Sequence, residues 1–209
     1  MYGLIAEELE ILKSLSTPQK IQDFVNKIPI NFEKNGPTCM SPRMVLKKNT
    51  AHCLEGALFA AAALRINGYP PLIVNLETTA EDDAHTIAVF QINDLWGAIS
   101  KTNHTMLRYR EPVYKSIHEL IMSYFHEYFL ENGDKTLRSH TSSIDLSIFD
   151  HYDWMISDKQ LWFIQQLLND AEYQPVVPES QIQYLRKADP VELKVLEIVE
   201  WEYPDETGK

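Results

Sequence analysis

The chain has 209 residues, 44% hydrophobic and 23% charged, which is enough to bury a core as a single soluble domain. Its formal net charge of −11 argues against non-specific binding to nucleic acid or to an anionic membrane, since both need a basic surface. No basic-then-apolar leader opens the sequence, and the longest apolar run, residues 57–64, is too short to cross a bilayer. Two cysteines, Cys39 and Cys53, make neither a disulfide framework nor a zinc spacing, so a reducing, cytoplasmic setting is expected.

Ile5, Leu9 and Leu12 recur with helical spacing and predict a first helix. Thr17-Pro18 joins an N-cap to a first-turn proline and starts a second, running towards Lys27. Prolines at 29, 37 and 42 make residues 29–48 an extended connection with one short helical turn at most. Next comes "NTAHCLEGALFAAAALRING", capped by Asn49 or Thr50 and stopped by Asn67-Gly68. It is apolar on nearly every side, so it is expected to be buried, with other elements packed around it.

"PPLIVNLETT" reads as a strand, and "AHTIAVFQI" and "LWGAISKT" read as a hairpin about Asn93-Asp94. Pro112 is expected to open an amphipathic helix carrying Val113, Ile117, Leu120, Ile121, Tyr124, Phe125 and Tyr128 on one stripe. "SSIDLSIF" is a further strand candidate. A helix is predicted over 157–173, with Ser157 and Gln160 as a capping box. The stretch 190–203 is left open between helix, strand and one after the other. The order of elements, without regular βα alternation, predicts an α+β fold.

Cys53 stands at the mouth of the buried helix. There the unpaired N–H groups and the positive dipole end favour thiolate over thiol, and the same N–H groups can receive an oxyanion. A nucleophilic cysteine still needs a base, and His85 begins the next strand but one. His52 is adjacent, but neighbouring helical residues point about 100° apart, which makes it a neighbour rather than a partner. Glu55, a charge on a buried helix, must be exposed near the first turn or paired, and compensation of the dipole is its simplest role.

The run "HCLEGALFAAAALRINGYPPLIV" resembles the nucleophile helix of transglutaminase-like proteins, a branch of the papain-like cysteine-enzyme superfamily. "AHTIAVFQINDLWGAISKT" is similar to that family's histidine strand and the tryptophan-bearing strand after it. The resemblance spans roughly residues 49–102. It implies a transglutaminase-like core over about 29–150, with N-terminal helices in 1–28 and a mainly helical elaboration in 151–209, all in one domain. It also implies a thiol nucleophile at Cys53 and an acid–base histidine at His85.

The family's third member, usually an aspartate, falls near Ser100, where no acid stands. Asp94 is at the hairpin tip, on the order of 30 Å from His85 at about 3.3 Å per residue. Ser100, or Asn103 after a register slip, could accept a hydrogen bond from the imidazole. Asn49, His52, Trp96, Asn103 and His104 are candidates for orienting or lining the cleft.

Arg108 and Arg110 in "RYREPVY" suit an anionic or carboxylate group, or alternatively a salt-bridged helix entrance. In "HELIMSYFH" the histidines at 118 and 126 are eight apart, not the four a zinc helix needs, so no metal is assigned. Cys39, in a proline-rich loop, is assigned to structure.

The implied activity is attack on an amide or ester carbonyl through a thioester, ending in hydrolysis, deamidation or amine transfer. No cofactor is needed. The expected partners are a peptide, a protein or a small amide substrate, with no nucleic acid and no membrane; no motif speaks to oligomeric state. The alternative is a catalytically inactive fold of the same kind that binds a peptide or serves as a scaffold, with Arg108, Arg110 and Trp96 as contacts.

Overall fold

A computed structural model describes residues 1–203 of the chain. Helix α1 (Ala6–Ser14) and helix α2 (Pro18–Lys27) lie where the apolar spacing and the Thr17 cap put them; the Thr17 hydroxyl accepts the Lys20 N–H at 3.3 Å. The connection after α2 is more helical than its prolines suggest. Ser41 caps a seven-residue helix α3 (Pro42–Lys48), and Pro42 sits at its first position, where no N–H is required. Asn49 ends α3 in the left-handed region (φ 51°), so it closes one helix instead of capping the next.

Helix α4 (Cys53–Ile66) is buried from Leu54 through Leu64, as an all-round apolar helix must be. The first three helices pack on it, and a sheet covers its remaining side. It starts at an extended N-cap, His52 (φ −90°, ψ −173°). At its other end the Asn67 amide donates to the carbonyls of Leu12, Leu15 and Ala63 at 2.8–3.0 Å, tying α4 to α1.

The sheet has seven strands: β1 (Leu72–Thr78), β2 (His85–Ile92), β3 (Leu95–Ile99), β4 (Arg110–Tyr114), β5 (Leu137–Thr141), β6 (Ile144–Asp145) and β7 (Tyr173–Pro175). All pairings are antiparallel, in the order β4-β3-β2-β1-β5-β7, and β6 also pairs with β1. Asn93 and Asp94 both take positive φ (51° and 62°), which a two-residue hairpin matched to strand twist requires. Ile73, Ala88, Phe90 and Ile99 point into the core built around α4. Val74, Leu76, Ile87, Val89 and Ala98 face a second core with Leu120, Tyr124 and Tyr128. The protein is thus an α+β fold on an antiparallel sheet.

Several elements differ from the sequence reading. Pro112 and Val113 belong to β4, an edge strand, where a residue without an N–H is tolerated. Helix α5 (Ile117–Met122) starts later, at a Ser116 cap, and gives way to a 3-10 turn over Phe125–Glu127. "SSIDLSIF" yields only the two residues of β6 before a 3-10 turn over Leu146–Tyr152.

The helix predicted over 157–173 is shorter, α6 (Trp162–Asp170), because Gln160 turns away from capping and accepts the Cys39 N–H. Tyr173 instead opens β7. Beyond it, α7 (Glu179–Ile182) and α8 (Pro190–Leu193) are single turns, and Val199 bridges to His104. The end of the predicted elaboration, 204–209, lies outside the described residues. Among the described residues no helix is long and apolar enough to cross a membrane.

Candidate functional site

Cys53 is the first residue of α4, and it is half-buried where α4 meets the end of the β2–β3 ribbon. Gly56 makes this junction close: a Cβ there would overlap the Lys101 side chain, one residue past Ser100. The Gly56 N–H makes the first intrahelical bond, to the His52 carbonyl at 2.8 Å. The N–H groups of Cys53 and Leu54 therefore precede the helical ladder and have no intrahelical acceptor.

His85, the first residue of β2, is 6% exposed, and Ser100, just past β3, is 1% exposed. The register Ala88↔Ile99, carried one residue on, sets Ile87 opposite Ser100 and makes His85 its diagonal neighbour on the same face. His85 Nε2 and Ser100 Oγ are 2.7 Å apart. Ser100 Oγ also bonds the Leu107 carbonyl, which can only accept, so the single hydroxyl proton goes there. His85 therefore donates through Nε2, which leaves Nδ1 as the nitrogen for Cys53.

His52 is more than a neighbour. As an N-cap it lies outside the helical path, so the 100° divergence of consecutive helical residues does not apply to it. Its Nε2 is 3.0 Å from the Thr38 carbonyl, 3.5 Å from Glu55 Oε1 and 3.7 Å from Glu33 Oε1. Glu55 is fully buried and paired: it accepts from Asn31 Nδ2, Thr38 Oγ1, and the Met40 and His52 N–H groups at 2.7–3.0 Å. One carboxylate thus pins the 31–40 loop to the start of α4.

The electrostatics follow from these partners. Burial pushes the Cys53 thiol up, but hydrogen bonds from His52 and His85, and then their charges, outweigh it and bring the thiol well below its usual range. Burial pulls His52 down, yet the bond to Cys53, the thiolate charge, Glu55 and the Thr38 carbonyl raise it to about 9. Cys39 is the opposite case: burial, reinforced by the charge of Glu55, pushes its thiol up to about 12. Of the two cysteines, one is set up as a thiolate and one is inert.

Cys53 opens onto a cleft of about 300 Å³, lined also by Asn75, Glu77, Thr86, Gln165, Asn169 and Tyr173. The last three come from α6 and β7, so part of the C-terminal third forms one wall of the cleft. Nothing in the sequence pattern points to them, because only the β1–β5–β7 pairing brings them there. Tyr128 was assigned to a helical stripe; it is buried, and its hydroxyl has no partner among the described residues.

The other candidates lie elsewhere. Asn103 is saturated by the Trp201 backbone, its amide bonding the C=O at 2.9 Å and the N–H at 2.8 Å. His104 pairs with Val199, and Asn49 ends α3. Trp96 packs into the second core. Arg108 pairs with Glu200 at 3.1 Å; Arg110 pairs with Glu127 and lies 4.0 Å over the Tyr124 ring. The arginines take the salt-bridged alternative, not a place in the cleft. Among the described residues no group of three or more His, Cys, Asp or Glu side chains is arranged to hold a metal ion.

No family model matches this chain, and neither does any curated protein.

Proposed function

We propose that the protein is a transglutaminase-like cysteine enzyme acting on an amide or ester carbonyl through a thioester. The observation that carries this reading is the hydrogen bond of His85 to Ser100, together with a Cys53 thiol at the start of a buried helix drawn towards thiolate by its hydrogen bonds from His52 and His85. The Cys53 sulfur attacks the carbonyl carbon, and the oxyanion that forms is received by the Cys53 and Leu54 N–H groups. The C–N or C–O bond then breaks, and protonated His85 gives its Nδ1 proton to the leaving group. Neutral His85 next takes a proton from water or an amine, whose attack on the thioester releases the product and restores the thiolate.

The second reading, an inactive binding or scaffold module, draws on Ser100 standing where the family usually has a carboxylate. A lowered Cys53 thiol weighs against it, since a scaffold has no use for a thiolate.

The test is turnover of activated phenyl esters and of the corresponding amides by the parent, Cys53→Ser and His85→Gln. A pre-steady-state burst is expected in the parent and none in Cys53→Ser. His85→Gln should lose about 10²–10⁴-fold in rate. Equal turnover by all three would sink the proposal.

A further inference from the structure

The nucleophile has two imidazoles, and they are supported differently. His85 is backed by a neutral hydroxyl, that of Ser100. His52 is backed by the Thr38 carbonyl at 3.0 Å and by two carboxylates, Glu55 at 3.5 Å and Glu33 at 3.7 Å. Both carboxylates are themselves held: Glu55 by four donors, and Glu33 by the Thr38 N–H at 2.6 Å. The charged support that the resemblance would place behind His85 stands behind the other histidine.

We propose that His52 is a fixed imidazolium that keeps the free Cys53 thiol ionised before acylation and after deacylation, and that His85 alone carries protons to and from the substrate. This rests on the reading of Cys53 as a nucleophile. His52 Nε2 lies against the Thr38 carbonyl and the ring also hydrogen-bonds the adjacent Cys53, so it can donate to both only when doubly protonated. The charged groups that face it are Cys53 and Glu55 from α4 and Glu33 from the preceding loop, and His85 is the second ring that hydrogen-bonds Cys53.

The hydrogen bond to Cys53, the thiolate charge, Glu55 and the Thr38 carbonyl favour the cation, which is why the ring sits at about 9 despite its burial. The proton balance closes without His52. In acylation His85 passes from imidazolium to neutral as the leaving group takes its proton; in deacylation it regains one from water or amine; His52 begins and ends charged. Both rings hold the thiolate, so a His52 that stays charged keeps its share of that support while His85 cycles.

The experiment is the pH dependence of Cys53 alkylation by iodoacetamide in the full chain, with the label assigned to Cys53 or Cys39 by peptide mass. It is compared for the parent, His52→Gln and His85→Gln, and needs no acyl transfer, so it can fail or succeed independently of the ester assay. His85→Gln should keep an inflection below the free-thiol value of about 8.5, raised less than in His52→Gln. His52→Gln should move towards 8.5, slowing alkylation at pH 6.5 by up to about 100-fold. An unchanged inflection in His52→Gln, or an equal rise in His85→Gln, overturns the proposal. Nitrogen NMR of the His52 ring in the unmutated protein covers the case of a variant that does not fold. Two imidazolium-type signals at pH 8 are expected, and a neutral ring there contradicts the proposal.

Discussion

The Nε2–H of His85 donates to the hydroxyl of Ser100, 2.7 Å away, and the Ser100 O–H donates in turn to the Leu107 carbonyl. This relay fixes the imidazole's orientation and tautomer without placing a charge behind it. Orientation is therefore Ser100's whole contribution, and that defines what its removal should do. Ser100→Ala should lower kcat about fivefold, in line with losing a buried hydrogen bond of about 1 kcal/mol, and leave KM nearly unchanged. Unchanged kcat in steady-state assays would mean that the ring is held by something else.

Tyr128 carries a hydroxyl that the fold leaves unpaired, 3% exposed, and burial followed by the charge of Cys53 holds it protonated. The hydroxyl is sealed in the second core and is not among the residues that line the cleft, so its cost is one of stability. Tyr128→Phe should raise stability by about 1 kcal/mol, through relief of the unsatisfied group, and leave kcat/KM unchanged. Denaturant unfolding and kinetics on the same preparation check both halves. A less stable variant with unaltered kcat/KM would show that the hydroxyl has a structural partner instead.

The second histidine pair should govern stability on the acid side. His140 Nδ1 donates to the Thr141 carbonyl at 2.9 Å, so its Nε2 accepts from His118 Nδ1 at 3.2 Å. Burial, and the charge of His118, hold His140 below the usual histidine range; burial and Arg108 do the same for His104. Unfolded, both rings bind a proton below about 6.5. Between that value and their lowered native values the unfolded chain carries more protons, so stability falls as pH is reduced. Melting temperature should drop below pH 6.5, and His140→Asn should flatten that slope. A slope of the same size in the variant would remove His140 from the account.

How much of this was legible depends on how local the signal is. Cys53, His85 and Ser100 could be read from one helix and one hairpin, because a two-residue turn at Asn93-Asp94 fixes which residues share a face. Strand β5, "LRSHT", has no apolar alternation of its own and becomes a strand through pairing with β1 and β7, so the cleft wall it brings in was hidden. Pro112 signals a helix start or an edge strand equally well, and only the sheet order decides. Helix periodicity does not extend to His52, which stands just outside the helix as its N-cap, so its place beside Cys53 is not legible from spacing.

The central claim is a covalent one, and trapping the intermediate tests it most directly. The full chain, treated with an activated acyl ester and quenched in acid, should carry one acyl group on the Cys53 peptide. That adduct should be released by hydroxylamine and be absent from the Cys39 peptide. A chain that stays unacylated, or acylated at Cys53 just as fast in His85→Gln, would contradict the account.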